Sequence, residues 1–467
     1  MLTASLAPDP STLWVLVSVG GSSSVGLTRA GGQRQPLVSG QCHGSPPSWC
    51  GSVNGFSRPY ARSHAGGRAY VRVSCKRCGE SPAQPLMPVL LVGFLMARVE
   101  LPTPPPPSSP AESRPQRLAS LGHHSSCYFR TGPPPGTRKA LIQITERCNL
   151  HCAHCFVSST KSGRDLTLRE IDEVVLPLLT DTAVERVTIT GGEPFAHPDI
   201  HAIIARLRHM TSVTVCTNAT LIDERSARLL AANPNVHVNV SIDGFNAPAH
   251  DRLRGQAGAF DQAMAGLALL ASHGLVKGIL ATPTAASKPA DFVELCRLGD
   301  RVGAEYVLMN PLSPLGRGIG SARKLGATQQ AMRAIESSIE GTSDLNVEPV
   351  FIRFPASGQP LSGCSAGSIY YVFANGDVAF CPYLVFAARS ATSVHSPETF
   401  LAGNVFRDTD VAARICRFSP DRDLRVGANS TCGACELAPG CGKGCPAAVV
   451  ASGGSLGGHD SEVCDRC

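Results

Sequence analysis

Ile144-Thr-Glu-Arg-Cys148-Asn-Leu-His-Cys152-Ala-His-Cys155-Phe156 decides how the rest of the chain is read, because it sets three cysteines at spacings of three and two residues directly after an apolar run. Residues Leu141–Thr145 read as a short buried strand. The cysteines therefore fall just past a strand's C-terminal end, where barrel enzymes keep their chemistry. Three thiolates on one short loop form a metal site. A structural zinc site is closed by four ligands, and here the local group stops at three, although His151 or His154 could complete a Cys3His set. A [4Fe-4S] cubane held by Cys148, Cys152 and Cys155 would leave one iron without a protein ligand and open to a small molecule. The position at a strand end favours the cluster.

Gly191-Gly192-Glu193-Pro194 follows about forty residues on, at the end of a strand expected over Val184–Thr190. The two motifs together resemble the radical S-adenosylmethionine (radical SAM) superfamily. The resemblance implies that the open iron chelates the amino and carboxylate groups of SAM. It also implies that an electron from the cluster cleaves SAM to methionine and a 5'-deoxyadenosyl radical, which takes a hydrogen atom from a substrate. Gly191 and Gly192 let the backbone turn sharply and approach a ligand, and Glu193 could pair with SAM's ammonium. Without the cysteine loop, Gly191–Pro194 would read as a plain strand-exit turn.

From residue 140 strands alternate with amphipathic helices. The strands are Val184–Thr190, Val213–Cys216, Val236–Ile242, Gly278–Thr282 and Ala304–Met309, with helices near 167–180, 199–209, 221–232, 260–273 and 289–302. The fold class is α/β. Six units are too few to close an eight-stranded barrel, and the resemblance implies a partial (β/α)6 TIM-like barrel over residues 138–312. By the same resemblance Asn218, Ser241 and Arg254 lie near SAM or substrate, alongside Gly191–Pro194. A short polar side chain at a strand end also serves as a cap, and His250-Asp251-x2-Arg254 could be a solvated charged turn. Cys216 ends a strand on the active face and could donate a hydrogen atom to a product radical, although buried packing also suits it.

After a linker and helix over 313–362 comes a second cysteine system over 363–467. Cys364, then Cys381 across a hairpin turning at Asn375-Gly376, then Cys432, Cys435, Cys441, Cys445 and Cys464 resemble the SPASM domain of radical SAM enzymes. That implies two auxiliary [4Fe-4S] clusters. Cys432, Cys435, Cys441 and Cys464 would hold the outer one, with Cys467 able to replace Cys464. The inner one would take Cys364, Cys381 and Cys445. Its fourth bond would come from Cys416 or, as we expect, from a substrate or solvent group on an open iron. A zinc ribbon is the alternative for Cys432–Cys445. Cys127, Cys216, Cys296 and Cys416 read as ordinary packing cysteines.

Composition narrows the setting. The chain of 467 residues has 19 cysteines in clustered spacings that suit metal ligation rather than disulfides, so a reducing cytoplasm is expected. Residues 1–139 carry 14 Lys+Arg against 4 Asp+Glu, leaving 28 against 32 in the remainder. The part with the chemistry is thus mildly acidic, which speaks against nucleic acid as a substrate. Residues 1–135 are rich in Gly, Ser and Pro and are expected to be mostly disordered, with Met96 as a functional start and Cys75-x2-Cys78 as incidental cysteines. No membrane anchor or signal is expected, since the apolar run Leu13–Val19 has no basic residue before it and Met87–Ala97 is too short to span a bilayer.

The expected function is hydrogen abstraction from a natural-product precursor, foremost a ribosomal peptide to be crosslinked or oxidised. A sugar, aminoglycoside or nucleoside intermediate of antibiotic biosynthesis is the alternative. A non-catalytic iron–sulfur or zinc protein is the reading from another class, and it would have no need of Gly191–Pro194. The partner implied is a small flavodoxin- or ferredoxin-type electron donor.

Overall fold

The structure, a computed structural model, describes residues 2–6, 13–19, 22–27, 125–129 and 132–465. The chain divides into two compact units, Met1–Phe94 and Leu95–Cys467. In the first, strands β1 (Leu2–Leu6), β2 (Leu13–Val19) and β3 (Ser22–Leu27) form an antiparallel sheet, regular structure where the sequence suggested little. The expectations for Met96, Cys75 and Cys78, and most of the expected disorder, fall outside the described residues. So does Cys467.

The second unit is organised on one sheet. Six parallel strands run in chain order: β4 (Arg138–Gln143), β5 (Val184–Thr190), β6 (Ser212–Thr217), β7 (Val236–Ser241), β8 (Val276–Ala281) and β9 (Tyr306–Met309). Helices Ile200–Arg206, Glu224–Ala231, Ala259–Ser272 and Pro289–Arg301 provide crossovers close to where the spacing predicts them. Local chemistry starts them as expected. Thr167 and Glu170 form a capping box, Asp223 accepts from the Ser226 amide at 2.7 Å, and Pro289 opens its helix.

Alternation along these strands separates two faces. Ile142, Ile189, Val215, Val240 and Val307 lie fully buried in one core with Ile203, Leu230, Leu267 and Phe292 of the helices. The residues between them, including Lys139, Gln143, Thr188, Thr214, Cys216, Asn239 and Ser241, point to the opposite face. Parallel strands covered by apolar layers on both sides read as continuous hydrophobic runs. Here the second face is polar over β4–β7, which suits a hydrated or polar occupant, and apolar over β8 and β9, where Leu280, Tyr306 and Leu308 pack together.

The sheet extends beyond the six strands at both edges. β10 (Glu348–Phe351), within the stretch expected to be linker and helix, pairs parallel with β9. At the other edge β11 (Ile369–Val372) pairs parallel with β4, and β12 (Asp377–Ala379) and β13 (Leu401–Asn404) follow antiparallel. The hairpin expected at Asn375-Gly376 is present, but it continues the barrel's sheet rather than standing apart from it.

The segment 125–129, assigned by sequence to the disordered extension, packs into this unit. Ser126, Cys127 and Tyr128 are buried. Their side chains supply the apolar surface that the neighbouring Pro/Gly stretch lacks, and Tyr128 stacks on Tyr383 at 4.1 Å between ring centroids. No helix of the described residues is long and apolar enough to cross a membrane.

Candidate functional site

The loop after β4 gathers the first three cysteines. Cys148, Cys152 and Cys155 share a small apolar cluster with Leu150 and Ala259, and the Cys148 sulfur accepts from the Leu150 amide at 3.4 Å. Burial pushes the Cys148 thiol up to about 12. Burial also raises Cys152, against the pull of Arg254.

Three glycines from separate elements hold the loop in shape by packing against its backbone. A side chain at Gly192 would strike the Arg147 carbonyl, one at Gly255 would come within 2.5 Å of the His151 oxygen, and one at Gly316 within 2.6 Å of the Cys155 oxygen. Backbone bonds fasten the same approach, with Gly192 N donating to Thr145 O at 2.9 Å and Glu193 N to Arg147 O at 2.8 Å. Arg317 clamps the far side, its Nε donating to Cys152 O at 2.9 Å and Nη1 to Ser159 O at 2.6 Å.

A buried charge network lies beneath. Arg254, on helix Ala247–Arg254, donates from Nε to Asp243 Oδ2 at 2.6 Å and reaches the Cys152 sulfur with Nη1 at 4.0 Å. The solvated-turn reading of this stretch is therefore wrong. Arg254 and His250 are buried, because the helix packs its polar ends against the cysteine loop. Burial alone would raise Asp243, but Arg254, His154 and His250 hold its carboxyl down at about 2. Asp243 also accepts the Thr282 amide at 2.9 Å, and its own amide donates to His250 Nδ1 at 3.1 Å. His154 lies 4.0 Å from Asp243, and its buried Nδ1 has no partner. An invariable positive charge is thus fixed beside a sulfur that must become a thiolate to bind metal.

Glu193 is held by partners within the protein. Its carboxylate is buried and accepts from Thr217 Oγ1 at 2.6 Å, the Asn218 amide at 2.7 Å and the Phe195 amide at 3.1 Å. Burial raises its pKa despite these bonds. In this arrangement it positions Asn218, whose Nδ2 donates to Asn149 Oδ1 at 3.0 Å and so ties the third strand's end to the cysteine loop. Ser241 ends β7 half-buried, and Pro194 opens a short turn over Pro194–Ala196. Cys216 lies on the polar face, its sulfur accepting from Asn239 at 3.8 Å, while Tyr306 donates to Asn239 at 2.9 Å.

The later cysteines separate into two groups. Cys381 and Cys445 are buried in one apolar cluster against which Cys364 packs, and Cys127 belongs to the same cluster. Cys441 and Cys464 pack around Ala356, Leu361 and Val463, and Cys432 and Cys435 lie at the helix Ser430–Ala434. Cys416 is exposed. Its helix Val411–Arg417 packs Val411 and Ile415 into the core on the other side of the sheet from the cluster of Cys381 and Cys445, which places it away from that group. Among the described residues no three His, Cys, Asp or Glu side chains close on a single ion.

Asp243, Asn149 and Arg317 received no individual role from the sequence, and Cys127 was read as packing. Asp243 and Arg317 each had a signal, being the polar residue after a strand end and a lone Arg-Gly pair past the last one.

Comparison with known proteins agrees with this arrangement. Residues 142–285 match the family described as the radical SAM superfamily. Mycofactocin maturase MftC of Mycobacterium ulcerans is 30% identical over 333 residues, covering 68% of this chain and 86% of the relative. The subtilosin biosynthesis protein AlbA of Bacillus subtilis, named as antilisterial bacteriocin machinery, is 27% identical over 304 residues, covering 63% of this chain and 64% of that protein. Streptococcus suis SuiB bound to S-adenosylmethionine has the same fold with a TM-score of 0.55 at 18% identity, over 70% of this chain and 77% of that one.

Proposed function

This chain belongs to the radical SAM superfamily, and from that premise we propose that it modifies a ribosomally made peptide by abstracting a hydrogen atom from it. The observation that carries the reading is the set of three cysteines in one apolar cluster just past the C-terminal end of β4, framed by Gly192, Gly255 and Gly316 and faced by Arg254. The chain is an enzyme of radical SAM chemistry. Cys148, Cys152 and Cys155 hold its [4Fe-4S] cluster. With SAM bound, that cluster supplies the electron for SAM cleavage and hence the hydrogen-abstracting radical.

The chain's own residues prepare the site. Arg254 favours the thiolate of Cys152 and is itself kept charged by Asp243. Asn218 and Ser241 present polar groups to SAM at the ends of β6 and β7, and Glu193 sets the position of Asn218. The polar strand face running down from this edge accommodates a peptide's backbone amides. Relatives support a peptide in particular, since AlbA serves bacteriocin biosynthesis and SuiB has been solved bound to its precursor peptide SuiA.

Cys432, Cys435, Cys441 and Cys464 hold an outer auxiliary cluster, and Cys364, Cys381 and Cys445 an inner one, in a SPASM-type region that carries electrons to or from the substrate radical. A flavodoxin- or ferredoxin-type protein in the cytoplasm supplies the first electron.

The test is anaerobic. After reconstitution, reductant and SAM should give 5'-deoxyadenosine, and a candidate precursor peptide should raise its yield and lose mass. A sugar or nucleoside raising the yield where peptides do not would overturn the peptide reading, and zinc in place of iron would overturn the chemistry.

A further inference from the structure

The inner cysteine group has three members by sequence, and the fold brings a fourth to it. We propose that Cys127 is the fourth protein ligand of the inner auxiliary cluster, closing it with Cys364, Cys381 and Cys445. This rests on the auxiliary-cluster reading above.

Three observations support it. Cys127, Cys381 and Cys445 are at most 7% exposed and lie in a single apolar cluster that also takes Cys364. The Cys127 Sγ donates to Gly444 O at 3.4 Å, one residue before Cys445, and to Ser362 O at 3.9 Å, two residues before Cys364, so it lies between the two turns that carry those cysteines. No other cysteine of the described residues is so placed, because Cys296 lies in the helix-side core, Cys216 on the polar face, and Cys416 at the surface.

The segment carrying Cys127 is also held more firmly than a passing strand of chain requires. Both the Ser126 and Cys127 amides donate to Ser362 Oγ, at 3.0 and 3.2 Å. Arg353 accepts nothing and gives twice here, its amide donating to Ser125 O at 2.9 Å and its Nη1 to Ser126 O at 3.0 Å. The same guanidinium pairs with Asp460, whose Oδ2 accepts the Cys445 amide at 2.8 Å. One arginine thus registers the Cys127 segment against the Cys445 turn. Tyr128 adds a hydrogen bond to Ser313 at 3.0 Å on the next residue.

Ligation costs Cys127 its thiol proton, released to solvent as the sulfur–iron bond forms. A cluster with four cysteines has no open iron, so it exchanges electrons with the substrate without binding it. That reverses the expectation of an open inner site.

The experiment uses the full chain with Cys148, Cys152 and Cys155 all changed to Ala, so that only auxiliary iron remains. Reconstituted anaerobically, this parent should bind about eight irons. Adding Cys127→Ala should convert one cubane to a species lacking one iron, with about one iron lost and a [3Fe-4S] signal in the oxidised electron paramagnetic resonance spectrum. Cys127→Ser, nearly isosteric and able to ligate through oxygen, should keep the iron but shift the spectrum of the reduced cluster. Cys416→Ala should change neither. Iron content and spectra unchanged in both Cys127 variants would overturn the proposal and leave the clusters standing. A parent that binds no iron would overturn the auxiliary-cluster reading itself.

Discussion

Gly192→Ala should empty the radical site while the rest of the protein folds. A β-carbon there would lie 2.6 Å from the Arg147 carbonyl carbon and 2.8 Å from Cys148 Cβ, as well as against the Arg147 oxygen. Carbon atoms pack at about 3.5–4.0 Å, so the loop must retreat by roughly 1 Å. Retreat is opposed by the Glu193 N to Arg147 O bond at 2.8 Å, which the same movement breaks. Overpacking costs about 1–3 kcal/mol and the lost hydrogen bond about 1 more. The sum, about 2–4 kcal/mol, is affordable for a unit of this size, so the protein survives with a displaced Cys148. Misplacing a reacting group by about 1 Å can cost about 100-fold in rate. Iron should therefore fall by about four per chain, and 5'-deoxyadenosine formation by about 100-fold or more. Gly320→Ala is the control, since nothing lies within 4 Å of its β-carbon position. It should leave iron unchanged and stabilise helix Gly318–Leu325 by up to about 1 kcal/mol. Full iron and wild-type SAM cleavage in Gly192→Ala would refute the idea that this turn holds the cysteine loop in shape.

Two further outcomes follow from buried charge. Arg353→Met leaves Asp460, 2% exposed, without its cation and should cost about 3–5 kcal/mol in chemical denaturation. Arg353→Met with Asp460→Leu should recover part of that loss, and no recovery would mean the pair's environment is wetter than the structure has it. His250 is held neutral, pulled down to about 4 by burial, with Nδ1 accepting from the Asp243 amide. The unfolded chain then binds one more proton than the folded one between about pH 6.5 and 4, so stability falls as pH drops through that window by up to about 1.4 kcal/mol per unit. Urea midpoints of the apoprotein at pH 7, 6 and 5 measure the slope; His154, also pulled down to about 4 by burial, adds to it, so His250→Gln should lessen the slope and leave the His154 share.

Features that depend on neighbours in sequence were legible beforehand. The cysteine loop, the Gly191–Pro194 turn, strand Val184–Thr190 and the Asn375-Gly376 hairpin are all encoded within a dozen residues or so. Strand β10 was missed because Pro349 sits inside it, which argues against a strand except at an edge, and an edge is where it lies. Helix Ala247–Arg254 was missed because its polar residues point inward to Asp243 and the loop, which inverts the usual pattern of a surface helix. Cys127 looked ordinary because its companions Cys364 and Cys445 are 237 and 318 residues away, and no spacing rule spans such distances.

Those separations also bear on the order in which iron can enter the protein. Cys148, Cys152 and Cys155 emerge together within eight residues, so the first cluster's ligands are complete early in translation. The group around Cys445 is incomplete until 290 residues after Cys155 have been added, about 15–60 s later at ordinary rates of synthesis. Its four thiols come from four stretches that meet only once the final sheet edge has formed on β4. On the ligand sets proposed above, maturation is therefore split in time, with one cofactor deliverable to a nascent chain and the proposed inner cluster only to a finished one.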